Sequence, residues 1–176
     1  MERHGRPCGV IASLLLIIVC SSPALSEERL TDVEKLQTIY RMYDDYRKSF
    51  REVQDVSPEM AMKLVKSSRV VFVDIREDRE QRVSMIPGAV TEDEFRNNPD
   101  KYRNHIVIGY CTISYRSGKL ARKLRKQGII MANLRGGLLA WVHEGGKVYD
   151  SKGETKRIHV YEEEWNYPPE SYEAVW

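Results

Sequence analysis

Apolar positions fall into two patterns along this chain. Between Thr31 and Phe50 they recur at helical spacing, with Val33, Leu36, Ile39 or Tyr40, Tyr43, Tyr46 and Phe50 on one face. Thr31 and Glu34, three residues apart, form a capping box that sets the start of this helix. A second helix is predicted over SPEMAMKLVKS, with Ser57 as its cap and Pro58 in its first turn. The other pattern is the continuous apolar run: RVVFVDI at 69–75, HIVIGY at 105–110 and GIIMANL at 128–134. Such runs suit strands covered on both faces, as in parallel sheets. Helical patterns at 77–83, 117–127 and 137–144 alternate with them. The alternation predicts an α/β domain with a mainly parallel central sheet and helices on both faces. Ligands of such sheets gather at the carboxyl ends of strands, which is where Cys111 stands.

The two ends read differently. Arg3 and Arg6 precede an apolar run from Val10 to Cys20, followed by small and turn residues. The run is short for a lone membrane span and suits the core of a secretory signal peptide. Ala24 and Ser26 take the small-residue positions of a cleavage site, so residues 1–26 are read as a signal and Glu27 as the mature start. An uncleaved anchor is the rival reading and the one membrane attachment weighed; lipidation at Cys20 is disfavoured by Val19 before it. The expected organisation is then a helical extension over 27–51, a domain over 52–150 and an aromatic tail over 151–176. Within that tail RIHVY has strand character, and Trp165, Tyr167, Tyr172 and Trp176 are expected to pack on the domain.

Composition narrows the function. Apolar residues make up 41% of the chain, charged residues 31%, and the net charge is +2. Lys and Arg are interspersed with Glu and Asp, so no nucleic-acid partner is expected. Of the 3 cysteines, Cys8 and Cys20 fall in the leader, which leaves Cys111 as the one thiol of the mature chain. A lone Cys in an exported protein is unusual, because oxidising compartments pair or eliminate thiols. Its bland explanation is a buried, inert side chain. The reactive explanation needs a thiolate, and three features favour one: a strand-loop-helix turn whose N–H groups face inward, the helix start near Ser117, and the basic residues Arg116, Lys119 and Arg122. His105, His143 and His159 are distant in sequence, and nothing in the pattern singles one out as a base.

Three motifs carry a family resemblance. Cys111 to Ser117 reads Cys-x-x-x-x-Arg-Ser between a strand and a helix and resembles the active-site loop of rhodanese-type sulfurtransferases. FVDIRED followed by MIPGAV resembles that family's Asp-bearing strand and its Ile-Pro-Gly-Ala segment. NLRGGLLAWVHEGG resembles its closing helix, and the three motifs come in the family's order. The resemblance implies a rhodanese-like fold and double displacement through a persulfide on Cys111, with no metal and no organic cofactor. It also implies a substrate loop of Thr112, Ile113, Ser114, Tyr115 and Arg116, supported by Asp74 and Ser117. The donor would be a small sulfur compound such as thiosulfate, and the acceptor cyanide, a small thiol or a protein thiol. Arg116 would steady the anionic group or, the role favoured here, fix the loop through a carboxylate such as Asp74. This chain departs from the family at Ser114, where Gly is usual, and at Ser84-Met85, where Gly-His is usual. Ser114 is expected to reshape the cradle or to donate its hydroxyl to a bound oxyanion. Cys to Arg spans one residue fewer here than in the rhodanese-like phosphatases, and a second Cys for thiol oxidoreduction is missing from the mature chain. The rival from another class is an inactive rhodanese-like binding or regulatory module.

Overall fold

The computed structural model describes residues 1–2, 29–66 and 69–176. The expected leader at 1–26 lies, apart from Met1 and Glu2, outside those residues. Helix α1 (Asp32–Arg47) begins with the capping box, Thr31 accepting from the Glu34 N–H while the Glu34 carboxylate accepts from the Thr31 N–H at 2.8 Å. It is followed by β1 (Asp55–Val56), α2 (Pro58–Val65), β2 (Val70–Asp74), α3 (Asp78–Val83), β3 (Val90–Thr91) and α4 (Glu92–Asn97). Then come a 3-10 turn (Pro99–Tyr102), β4 (Ile106–Tyr110), α5 (Tyr115–Arg125), β5 (Ala132–Leu134) and α6 (Gly137–His143). The chain ends with a hairpin of β6 (Val148–Asp150) and β7 (Gly153–Thr155), then β8 (Arg157–His159), a second 3-10 turn (Glu163–Trp165) and β9 (Glu173–Val175).

Five strands form one parallel sheet in the order β1-β5-β4-β2-β3. Successive side chains of a strand point to opposite faces, and here both faces are covered. Phe72, Ile108 and Tyr110 join the core that holds Ala61 of α2 with Leu138 and Trp141 of α6. Val71, Val73 and Val107 join the core that holds Phe95 of α4 with Leu120 and Leu124 of α5. Helix α1 contributes to both, Ile39 to the first and Tyr43 to the second. Burying each such large apolar side chain stabilises the fold by about 1.5–3 kcal/mol before entropy is counted. This double cover is the reason the strands read as unbroken apolar runs rather than as alternations.

Several boundaries move. The run expected to be strand over 128–134 pairs only from Ala132, because Gly128 sits at φ 80 and Ile130 is 70% exposed. Helix α5 starts at Tyr115, two residues before the predicted start, since Ser114 turns the chain directly into it. The two-residue strands β1 and β3 and the six-residue α4 are too short to show a period. In the terminal segment, RIHVY supplies β8, which pairs in parallel with β9 outside the main sheet. Trp165, Tyr167 and Tyr172 lie against the same core as Trp141, and Trp176 is exposed. Among the described residues no helix is long and apolar enough to cross a membrane.

Candidate active site

Cys111 directly follows β4, and its backbone is set by two neighbouring helices. Ser114 adopts φ 64 and ψ 26, a left-handed conformation, and in that one residue redirects the chain from loop to α5. From the other side α6 arrives end-on. The Leu138 N–H donates to the Cys111 carbonyl at 2.9 Å and the Leu139 N–H to the Thr112 carbonyl at 3.1 Å. Gly136 and Gly137 make that approach possible at φ 71 and φ 64. A Cβ on Gly137 would stand 2.4 Å from the Cys111 oxygen and 2.6 Å from the Thr112 oxygen. With those carbonyls turned toward α6, trans peptide geometry turns the Thr112 and Ile113 N–H groups the opposite way. The first N–H groups of α5 likewise lack intrahelical acceptors. A row of amide donors and the positive end of α5 therefore face the same loop.

The charge at the site belongs to Arg116 and Glu80. Arg116 donates from both terminal nitrogens to the two Glu80 oxygens, each at 2.7 Å. Glu80 is fully buried in the first turn of α3 and also accepts from the Thr112 hydroxyl at 3.1 Å and the Glu77 N–H at 2.9 Å. Burial works to raise the Glu80 pKa, but these bonds and the nearby guanidinium outweigh it and hold the carboxyl below its ordinary value. For Arg116 burial acts first and downward, and the bonds to Glu80 with its nearby charge reverse it, so the guanidinium stays charged.

Arg116 pairs with Glu80 and not with Asp74, the carboxylate the sequence suggested. Asp74 ends β2 directly beside Tyr110 in register and is already engaged. It accepts from the Tyr110 hydroxyl at 2.7 Å and from Arg76, whose Nε lies at 3.0 Å and whose terminal nitrogen lies at 2.7 Å. The Asp74 and Arg76 side chains are fully buried and bonded to each other at the carboxyl end of β2, with one terminal nitrogen of Arg76 left without a partner. Glu80 was missed by sequence reasoning. Its available signal was a carboxylate in the first turn of a helix that leaves the carboxyl end of β2, the strand next to β4. None of the three imidazoles hydrogen-bonds Cys111: His143 meets the Tyr167 carbonyl at 2.8 Å, His159 accepts from the Tyr161 N–H at 3.0 Å, and His105 packs edge-on against Tyr102.

The remaining loop residues divide by partner. Cys111 is 1% exposed, and Thr112, Ile113, Ser114 and Ser117 are fully buried. Ile113 belongs to the apolar core, whereas Tyr115 is half-buried and packs on Tyr46, with ring centroids 5.0 Å apart. Among the described residues, the Ser114 hydroxyl, the Ser117 hydroxyl and the Arg116 Nε have no partner. A buried polar group left unpaired costs about 1–3 kcal/mol. Three of them within six residues of Cys111, in the loop and the first turn of α5, make a donor-rich segment suited to an anion.

Comparison with known proteins accords with this geometry. Residues 57–144, half of the chain, match the rhodanese-like domain. The chain belongs to the rhodanese-like family. It is similar to the Bacillus subtilis protein named "Putative sulfurtransferase YtwF", with 28% identity over 99 residues that cover 53% of this chain and 94% of that one. It is also similar to a tRNA uridine(34) hydroxylase of Synechocystis, with 31% identity over 97 residues, covering 49% of this chain and 35% of that one. The rhodanese-like chain thus spans about a third of the length of that hydroxylase. Among solved structures it resembles the BH2092 protein of Bacillus halodurans, with a TM-score of 0.50 and 20% identity over 66% of this chain and 88% of that one. That likeness concerns the fold, an α/β domain with a mainly parallel sheet.

Proposed function

We propose that this rhodanese-like chain is an exported sulfurtransferase that carries sulfane sulfur on Cys111. One observation carries the reading: within six residues of Cys111 the Ser114 and Ser117 hydroxyls and the Arg116 Nε are buried without a partner, donors of the kind an anionic sulfur group satisfies. In the first half-reaction the Cys111 thiolate attacks the outer sulfur of thiosulfate. A new S–S bond forms as the thiosulfate S–S bond breaks, and sulfite leaves with the electron pair. The loop amides and hydroxyls hold the resulting persulfide, and Arg116, anchored by Glu80, keeps the loop in shape around it. In the second half-reaction cyanide or a small thiolate attacks the outer sulfur and returns the Cys111 thiolate. Every bond broken is matched by one formed, so no oxidant or reductant is consumed.

Intact mass tests this directly. Protein produced with its leader in a secreting host, purified and treated with thiosulfate, is expected to gain about 32 Da on Cys111 and to lose it to cyanide, as covalent catalysis requires. Cys111→Ser is expected to gain nothing. The same spectrum reads export, since cleavage at the expected site leaves Glu27 first. A chain that takes up no sulfur from thiosulfate or another persulfide donor, with Cys111 still alkylatable, would instead be an inactive binding or regulatory module.

A further inference from the structure

The segment that follows Cys111 is flanked by residues that lie outside the shared domain. Tyr46 comes from α1 and Tyr161 and Trp165 from the terminal segment, whereas the family match spans 57–144. The match to YtwF takes in 94% of that protein and 53% of this chain, so nearly half of this chain lies outside it. Tyr46 and Tyr161 pack on Tyr115 and Arg116, in the first turn of α5. The Arg116 guanidinium, beside Cys111, lies under the Tyr161 ring at 4.8 Å, and Tyr161 stacks on Trp165 at 5.3 Å and 27°. Tyr46 packs on Tyr115, with ring centroids 5.0 Å apart. All four rings are half-buried, while Cys111 is fully buried.

The terminal segment is held so as to keep them there. Ile158 and Val160 are fully buried, the Val160 N–H donates to the Val175 carbonyl at 2.8 Å, and β8 pairs with β9. Further along, His143 grips the Tyr167 carbonyl. Tyr161 itself sits at φ 74, a conformation that side chains rarely adopt and that persists only where the surroundings enforce it. What that conformation achieves is a ring laid over Arg116.

We infer that Tyr46, Tyr115, Tyr161 and Trp165 form a selectivity collar that admits small thiols and small anions to Cys111 and excludes a cysteine carried on a folded protein. A small thiolate approaches on a narrow chain between the rings. A protein thiol brings a backbone and neighbouring side chains that the collar and the exposed Glu162, Glu163 and Glu164 beside it would have to move aside for. The inference rests on Cys111 as the reactive thiol, and it deepens that reading by naming the acceptor class.

Alkylation tests it without any sulfur donor, so failure of the collar and failure of sulfur transfer are read separately. The rates for N-ethylmaleimide and for the same maleimide mounted on a folded carrier protein are compared, each normalised to glutathione. Native protein is expected to react with the free reagent and to disfavour the carrier-borne one about a hundredfold, the discrimination expected when local opening is needed for one reagent alone. Tyr161→Gly, which removes the ring and suits the positive φ, is expected to raise the carrier-borne rate about tenfold while leaving the free rate nearly unchanged. Trp165→Ala should act in the same direction, with circular dichroism verifying that both variants are folded. A native ratio equal to that on glutathione would overturn the inference. So would folded variants that leave the ratio unchanged. So would a native Cys111 closed to both reagents and opened to both by Tyr161→Gly, because the segment would then be a complete lid and not a size filter.

Discussion

Ser114 holds a left-handed backbone, φ 64 and ψ 26, with a hydroxyl that is buried and unpartnered. Both features cost free energy, and the family's usual Gly would carry neither. Ser114→Gly is therefore expected to stabilise the protein by about 1 kcal/mol, the lower end of the cost of a strained non-Gly residue, as an upward shift of the urea midpoint. Persulfide formation is expected to persist in that variant, because the amides that hold the sulfur stay in place. The substitution was legible in the sequence as a departure from motif. Its outcome was not: the backbone keeps the conformation Gly would adopt, and the side chain bears the strain. Glu80 shows the converse. Its residue type was plain, but its place became visible only when α3 laid it against a loop 36 positions further along the chain.

At the scale of elements, the site is a meeting of three ends: the carboxyl end of β4 and the amino ends of α5 and α6. Gly137 is the contact point. A Cβ there meets Cys111 and Thr112 carbonyl oxygens, which cannot swing aside as a flexible side chain would, and the residue also sits at φ 64. Gly137→Ala is expected to destabilise the fold by more than about 2 kcal/mol, the range of strained and overpacked substitutions, and to lower persulfide yield by displacing the loop. Urea unfolding and the mass assay measure the two effects. The order of β2, β4, β5 and the helices around them was readable, because double burial writes an unbroken apolar run and an amphipathic helix writes a period. Strands of two residues write neither, which is why β1 and β3 had no signature.

For the whole molecule, acid sensitivity follows from three groups in separate elements, two of them buried and His143 half-buried. Burial chiefly lowers the His143 and His159 values from 6.5, with Arg79, Arg76 and Arg116 adding to the effect at His159. Bonds to Arg116 and Glu77 lower the Glu80 value from 4.5 against the opposing effect of burial. All three folded values are depressed, so the unfolded chain binds more protons as pH falls. Their contribution is complete above about pH 6.5 and is lost on acidification, first as pH falls through the folded histidine values, then through that of Glu80. Urea midpoints measured across this range are expected to decline in that order, and Glu80→Gln should flatten the lower part. His143 bonds the tail at Tyr167, and His159 lies beside the collar at Tyr161. The first loss should therefore loosen the terminal segment before the sheet, an order that hydrogen exchange resolves.

The sequence by itself determined the fold class, the family and the position of the thiol. Those follow from periods and motifs, and each is a property of a few neighbouring residues. Tertiary structure decided which carboxylate takes Arg116, since Asp74 was already held by Arg76 and Tyr110 and only α3 could bring Glu80 into reach. It also decided what flanks the segment after Cys111. Tyr46, Tyr161 and Trp165 are far apart in the chain and carry no shared pattern. Their meeting at the start of α5 is fixed by where α1 and the β8–β9 segment pack, and packing depends on the complementarity of whole surfaces, not on any local run of residues.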